Sequence, residues 1–237
     1  MKRKLSFMQS QFAIYFEDGI ARPDDILWKS LSGQVTEKFD ETPIILPVPN
    51  EPALAEVPIV QVSSKNEAFR LNISRKRLDF FIYGKGKSAS FKDSKDILLR
   101  SVKIFVRETK SITKIKWIGS ISNFFIEIKS PELYIGRFIN NKFMDIHEGN
   151  TLEATVDYIS KIRGLDISLN NHTRLQAAIA KFKDTKEEST GVIVSRDINT
   201  KSQENSKDFI NEEFAEKFID FAEKNFKLNE IMSLWKE

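Results

Sequence analysis

Residues 59–83 read IVQVSSKNEAFRLNISRKRLDFFIY, and this stretch decides the fold. Apolar and polar residues alternate in three short runs, 59–63, 68–74 and 77–83, separated only by SKNE and RK. A period of two is the strand period, because successive side chains point to opposite faces of a sheet. A crossover between parallel strands takes a dozen or more residues, so connections this short predict an antiparallel meander. The third run ends at Gly84-Lys85-Gly86.

Towards the N-terminus, residues 11–17 (QFAIYFE) predict an apolar, aromatic strand closed by the turn signal Asp18-Gly19. Arg22-Pro23-Asp24-Asp25 then predicts a helix start, since Pro suits the first helical position and acids suit the positive end of the dipole. Leu27, Leu31, Val35 and Phe39 recur every four residues and give that helix one apolar stripe, ending near Asp40. Five of the seven prolines fall within 43–58, which predicts an extended, irregular stretch with at most edge pairing. Towards the C-terminus, Ser90 is the expected cap of a helix that puts Leu98, Val102, Phe105 and Thr109 on one face. A strand over 114–129 follows, in which Gly119 predicts a bulge or bend.

The order then starts again. Ser130-Pro131-Glu132 opens a helix with Ile135, Ile139 and Phe143 on one face, and strands are predicted at about 151–160, 164–170, 173–182 and 191–198. From about 211 onward, Phe214, Phe218, Phe221, Leu228, Met232 and Trp235 keep a three-and-four spacing, which predicts a terminal amphipathic helix. Each half therefore reads strand, helix, a run of strands, helix. The fold class is α+β, with helices on one side of largely antiparallel sheets. Residues 1–110 form the first half and 111–237 the second, and the two are expected to make one compact unit.

With 41% hydrophobic and 30% charged residues over 237 positions, the composition is that of an ordinary globular chain able to bury a sizeable core. The absence of Cys excludes a disulfide, a thiolate nucleophile and any metal site built on sulfur. The opening MKRKLSFMQSQFAIYFEDG has a basic head, but its apolar stretch Phe12–Phe16 is too short for a secretory signal. No segment approaches the roughly 20 apolar residues that cross a bilayer, so the expectation is a cytoplasmic protein with no membrane partner. The net charge of +3 is unevenly spread: residues 65–129 hold sixteen Lys/Arg against six Asp/Glu, or +10, and residues 184–237 hold eight against thirteen, or −5. Such asymmetry marks a polyanion-binding face or two regions that attract each other within one fold, and an intramolecular or merely solvated role is favoured over the first.

No catalytic residue, metal ligand or cofactor site is assigned. The Gly84-Lys85-Gly86-Lys87-Ser88 turn lacks the early glycine of a phosphate-wrapping loop, since Phe81 stands there. Glu127-Ile128-Lys129 has the spacing of half a metal-dependent nuclease motif, but 114–125 supplies no acid to complete it. His147 and His172 are expected in surface turns. Two surfaces remain. Arg70, Arg75, Lys76 and Arg77 interleave with Phe69, Phe80, Phe81 and Tyr83 and, with Lys85 and Lys87, form a candidate nucleic-acid or phosphate surface. Phe214, Phe218, Phe221 and Trp235 form a candidate partner-docking face, against the plainer reading that they cover the chain's own sheet.

The order of elements, the strand IGSISNFFIEIKSPELY with its central Asn123, and the late strand GVIVSRDINT with Asp197-Ile198-Asn199 resemble a sporadically distributed, uncharacterised bacterial family of about this length. That resemblance implies a duplicated layout similar to the TATA-binding-protein-like fold, β-α-β(3–4)-α in each half. It also implies an accessory role in a mobile-element, toxin–antitoxin or phage-defence system. The expected function is that of a non-enzymatic binding protein acting through a protein partner or as a small homo-oligomer. A nucleic-acid or nucleotide-phosphate binder using the basic middle is the alternative, and a metal-dependent nuclease comes third.

Overall fold

The computed structural model describes residues 5–21, 23, 39–84, 91–136, 153–162, 167–181, 188–200 and 210–225. In the first half lie β1 (Leu5–Phe16), β2 (Ile44–Ile45), β3 (Val60–Ser63), β4 (Phe69–Ile73), β5 (Arg77–Tyr83) and helix α1 (Phe91–Lys110). The second half contributes β6 (Ile115–Glu127), a short α2 (Pro131–Gly136), β7 (Glu153–Lys161), β8 (Ser168–Lys181), β9 (Glu188–Asn199) and α3 (Glu212–Asn225). The fold is α+β. All the strands join one antiparallel sheet in the order β2-β3-β4-β5-β1-β6-β9-β8-β7. β1 and β6 thus pair at the centre; β5, β4, β3 and β2 step outward on one flank, and β9, β8 and β7 on the other.

One face of this sheet is the core. Phe12, Ile14, Leu71, Leu78, Phe80, Ile118, Leu175, Val192 and Val194 point into it and are buried. Long helices cover it because their apolar stripes match: Leu98, Val102 and Phe105 on α1, and Phe214, Phe218 and Ile219 on α3, are all buried. The contact is largely ring on ring. Phe105 meets Phe80 at 5.4 Å between centroids, Phe7 meets Phe91 at 5.6 Å and Phe12 meets Phe218 at 6.0 Å, all nearly perpendicular. Edge-to-face geometry sets the positive ring edge on the negative ring face, adding to the roughly 1.5–3 kcal/mol that burying each ring contributes. Asn211 caps α3, its Oδ1 accepting from the Phe214 amide at 2.8 Å.

The charge asymmetry is used between these helices. Lys95 of α1 pairs with Asp220 at 2.8 Å and Glu223 at 2.5 Å on α3, and Lys103 pairs with Glu216 at 2.5 Å. Hydrogen bonds that Lys95 donates to Asp220 and Glu223 hold its ammonium above its ordinary pKa.

The proline-rich stretch behaves as its composition requires, with a two-residue edge strand, β2, and one 3-10 turn at Pro52–Leu54. Elsewhere the structure corrects the sequence reading. The strands expected at 164–170 and 173–182 are one fourteen-residue strand, β8, so His172 stands mid-strand and not in a turn. Gly119 lies inside unbroken pairing with Ala13 and opens the ladder to β9 opposite Asn199, and the register shifts fall instead at Phe7/Gln9 and Tyr15/Phe16. Residues 24–38 of the helix expected from Pro23 to near Asp40, the continuation of α2 through Ile139 and Phe143, and His147 lie outside the described residues.

Candidate binding surface

Opposite the helices the same strands present a different set of side chains. On β1 these are Gln9, Gln11, Ala13 and Tyr15; on β6, Trp117, Gly119, Ile121, Asn123 and Phe125; on β9, Ser195, Asp197 and Asn199. β8 adds Asn170, His172, Arg174 and Gln176, and β5 adds Arg77, Asp79, Phe81 and Tyr83. Most of these are half-exposed where their core-facing neighbours are buried, the signature of a sheet with one face covered. Register aligns them in rows across the strands. One row runs Arg70, Phe81, Gln11, Ile121, Asp197, His172, Asp157 from β4 to β7. A second runs Tyr83, Gln9, Asn123, Ser195, Arg174, Thr155.

Several of these groups are tied together. Asp79 accepts from Gln11 Nε2 at 2.7 Å and from Arg77 Nε at 2.7 Å, and Arg77 also donates to the Tyr15 hydroxyl at 3.0 Å. Burial pushes the Asp79 carboxyl up from its ordinary pKa, against the pull of Arg77 and Gln11. Burial likewise raises the Tyr15 phenol, with Arg77 opposing. Tyr15 stacks on Trp117 with centroids 3.5 Å apart and rings 16° from parallel. Across the face, His172 Nδ1 bonds to Asp157 Oδ1, while Asn199 Nδ2 donates to Asp197 Oδ1 at 3.2 Å. Asp197 is raised by burial, with the Asn199 bond and His172 pulling the other way.

The sequence-derived candidates are not brought into one site. Arg70 and Arg77 reach the open face, where Arg70 lies 5.9 Å over the Tyr83 ring and Arg77 is paired with Asp79 and Glu56. Arg75 and Lys76 sit in the β4–β5 turn: Arg75 donates to the carbonyls of Val48 and Pro49, and Lys76 to that of Glu17. Lys85, Lys87 and Trp235 lie outside the described residues. Phe69 and Phe80 face the core and Phe81 and Tyr83 the open side, where they stack at 6.2 Å. Phe214 and Phe218 are buried against the chain's own sheet, and Phe221 packs on the same core. Covering that sheet is what this helix does.

No family model matches the chain, and no curated protein matches it. Among the described residues no three His, Asp or Glu side chains gather in a way that could hold a metal ion. Glu127 stands at the end of β6, opposite Gly191. No helix among the described residues is long and apolar enough to cross a membrane. The open face can therefore offer hydrogen bonds from amides and hydroxyls, flat aromatic surface and, among the described residues, exposed aliphatic side chains at Ile44, Ile121 and Ile159. The sequence reading missed Gln9, Gln11, Tyr15 and Trp117 as surface groups, although their period-two spacing is in the sequence.

Proposed function

We propose that this chain is a non-enzymatic binding protein whose contact surface is the open face of the sheet, acting on a protein partner or on a second copy of itself. The supporting observation is a nine-stranded sheet clothed by helices on one face and lined with half-exposed amides and rings on the other. Aromatic anchors among adaptable polar groups suit a protein interface. Charge on this face is close to balanced, since Arg77 is matched by Asp79 and Arg174 by Glu153 at 2.8 Å. We read the halves, 1–110 and 111–237, as a TATA-binding-protein-like duplication within one compact unit. In support, β1 and β6 hold equivalent central places, and from each the order outward runs from the last strand of its half back to the earlier ones. The fold likeness carries no DNA binding with it, because function resides in sites and not in architecture.

The test is purification of the tagged full chain from its native host alongside Ile121→Asp, with light scattering on both. A stoichiometric companion or a dimer is expected, lost in Ile121→Asp while circular dichroism is unchanged. A bare monomer, or a companion that the variant retains, overturns the reading.

A second reading rests on the interleaving of cation and rings on the open face where the cation has no acid partner in the described ion pairs, Arg70 with Tyr83 and Phe81. Such a patch binds single-stranded nucleic acid by base stacking plus phosphate pairing. Anisotropy titration with labelled single- and double-stranded oligonucleotides at two salt concentrations tests it. Absence of a salt-sensitive complex removes it.

A further inference from the structure

The core face of the second half carries a positive charge that no described acid neutralises. Arg196 of β9 is 1% exposed, the largest fully buried side chain described. It stands in register between Ser122 of β6 and Thr173 of β8. Its Nη1 donates to Thr173 Oγ1, its Nη2 to the Tyr158 hydroxyl, and its guanidinium lies 5.3 Å over the Tyr158 ring. Nε has no hydrogen-bond partner. Both acceptors are neutral, and among the described residues the guanidinium forms no ion pair. One row further along β8, opposite Tyr158, Asn171 is 2% exposed and its Oδ1 is also unpartnered.

An arginine stays ionised in any protein setting, so burial cannot be relieved by losing the proton. A buried cation held only by hydroxyls has lost its hydration without gaining a counter-charge, which is strongly unfavourable. The surroundings suit an oxyanion. The guanidinium fork matches two oxygens, and each hydroxyl, while accepting from Arg196, keeps its own proton to donate onto the same anion. Tyr158 is half-buried on the outermost strand of its flank, which sets the way in at the edge of the sheet.

We propose that Arg196, Thr173 and Tyr158 form an anion-binding site, on the helix-covered face and separate from the open one, that takes a single small oxyanion group, phosphate or carboxylate. The stacked, two-hydroxyl grip holds the guanidinium in place before the anion arrives. Binding there couples occupancy to the packing of β7, β8 and β9, since each of these strands supplies one of the three residues.

The experiment is thermal unfolding of the full chain with sodium phosphate, sodium acetate or sodium chloride at matched ionic strength, with calorimetric titration of whichever anion acts. A midpoint that rises with phosphate or with acetate but not with chloride, at one anion per chain, is expected and tells the two sources apart. Arg196→Met should abolish the response yet unfold no lower than the wild type in anion-free buffer, because it removes an uncompensated charge. Tyr158→Phe should weaken binding about tenfold, the loss of one charge-assisted hydrogen bond, and keeps the test decisive if the methionine variant fails to fold. A flat wild-type midpoint in all three salts, or a response that Tyr158→Phe and Arg196→Met leave intact, overturns the proposal.

Discussion

Gly191 offers the sharpest test of the sheet's central packing. It lies on β9 opposite Glu127 of β6 and Ala178 of β8. A Cβ there would stand 2.1 Å from the Ile126 carbonyl oxygen, 2.6 Å from Phe125 Cζ and 3.0 Å from the Ile126 carbonyl carbon. The first and last of these are backbone atoms, and Ile126 is held on its other side by pairing with Leu5. Alanine therefore forces β9 away from β6 by about 1 Å, an overpacking cost of roughly 1–3 kcal/mol. It also strains neighbouring ladder hydrogen bonds worth about 0.5–1.5 kcal/mol each. Together Gly191→Ala should lose about 3–5 kcal/mol, a fall in midpoint of some 6–20 °C for a chain of this size. Gly119→Ala is the control. Its Cβ meets the Asn199 Cβ and Trp117 Cζ3 at 3.3 Å, both side-chain atoms, and its nearest backbone atom, the Ile198 oxygen, is 3.6 Å away. With about 0.4–1 kcal/mol regained from the stiffer unfolded chain, its net effect should stay within about 1 kcal/mol. Urea unfolding by circular dichroism measures both. A Gly191→Ala variant within 1 kcal/mol of the wild type, or one no worse than Gly119→Ala, would refute the reasoning.

The helix-to-helix ion pairs are tested by charge reversal. Lys103→Glu should cost about 0.5–1 kcal/mol, the scale of a surface pair turned repulsive, and adding Glu216→Lys should restore most of it. If the double variant is no better than the single one, the pair does not draw the helices together. Asp197 gives a pH signature. Burial raises its carboxyl, so its contribution to stability is fully present below the unfolded carboxyl pKa and is lost as pH rises through the folded one. Asp197→Asn removes that dependence, and wild-type stability relative to the variant should fall in urea titrations as pH rises above the ordinary carboxylate range. A constant difference over that rise would contradict the assignment.

The elements that were legible in the sequence are those where one local pattern dictates one face. β3 and β4 alternate strictly, β5 follows them after a two-residue turn, and the sequence pattern places all three to within a residue or two. The stripe Leu98, Val102, Phe105 marked the buried side of α1 for the same reason. The sequence of β8 reads as two strands because SLNNHTRL puts Asn170, Asn171 and His172 together, a run that reads as a turn when only local preferences are weighed. Pairing on both sides, with β7 and β9, supplies ladder bonds that outweigh those preferences. β1 extends back to Leu5 through the Phe7/Gln9 shift, and a bulge breaks the very alternation by which a strand is recognised. Arg196 escaped notice for a different reason. An Arg between Ser195 and Asp197 looks like a surface residue, and only the parity of β9 shows that it points inward with Val194 and Ile198.

The same parity bears on what kind of partner the molecule suits. The basic middle of the chain suggested a surface for polyanions, but folding disperses its charge. Lys95 and Lys103 are engaged by the acids of α3, Arg75 and Lys76 are turned onto backbone carbonyls, and Arg77 is spent on Asp79 and Glu56. A protein that tracks phosphates needs several cations aligned and unneutralised along one groove, because affinity there grows with the number of counterions released. The open face aligns amides, hydroxyls and rings, with cations and acids interspersed in its rows. Groups of that kind read shape and hydrogen-bond pattern at short range and add little long-range attraction, which suits a protein surface better than a nucleic-acid backbone.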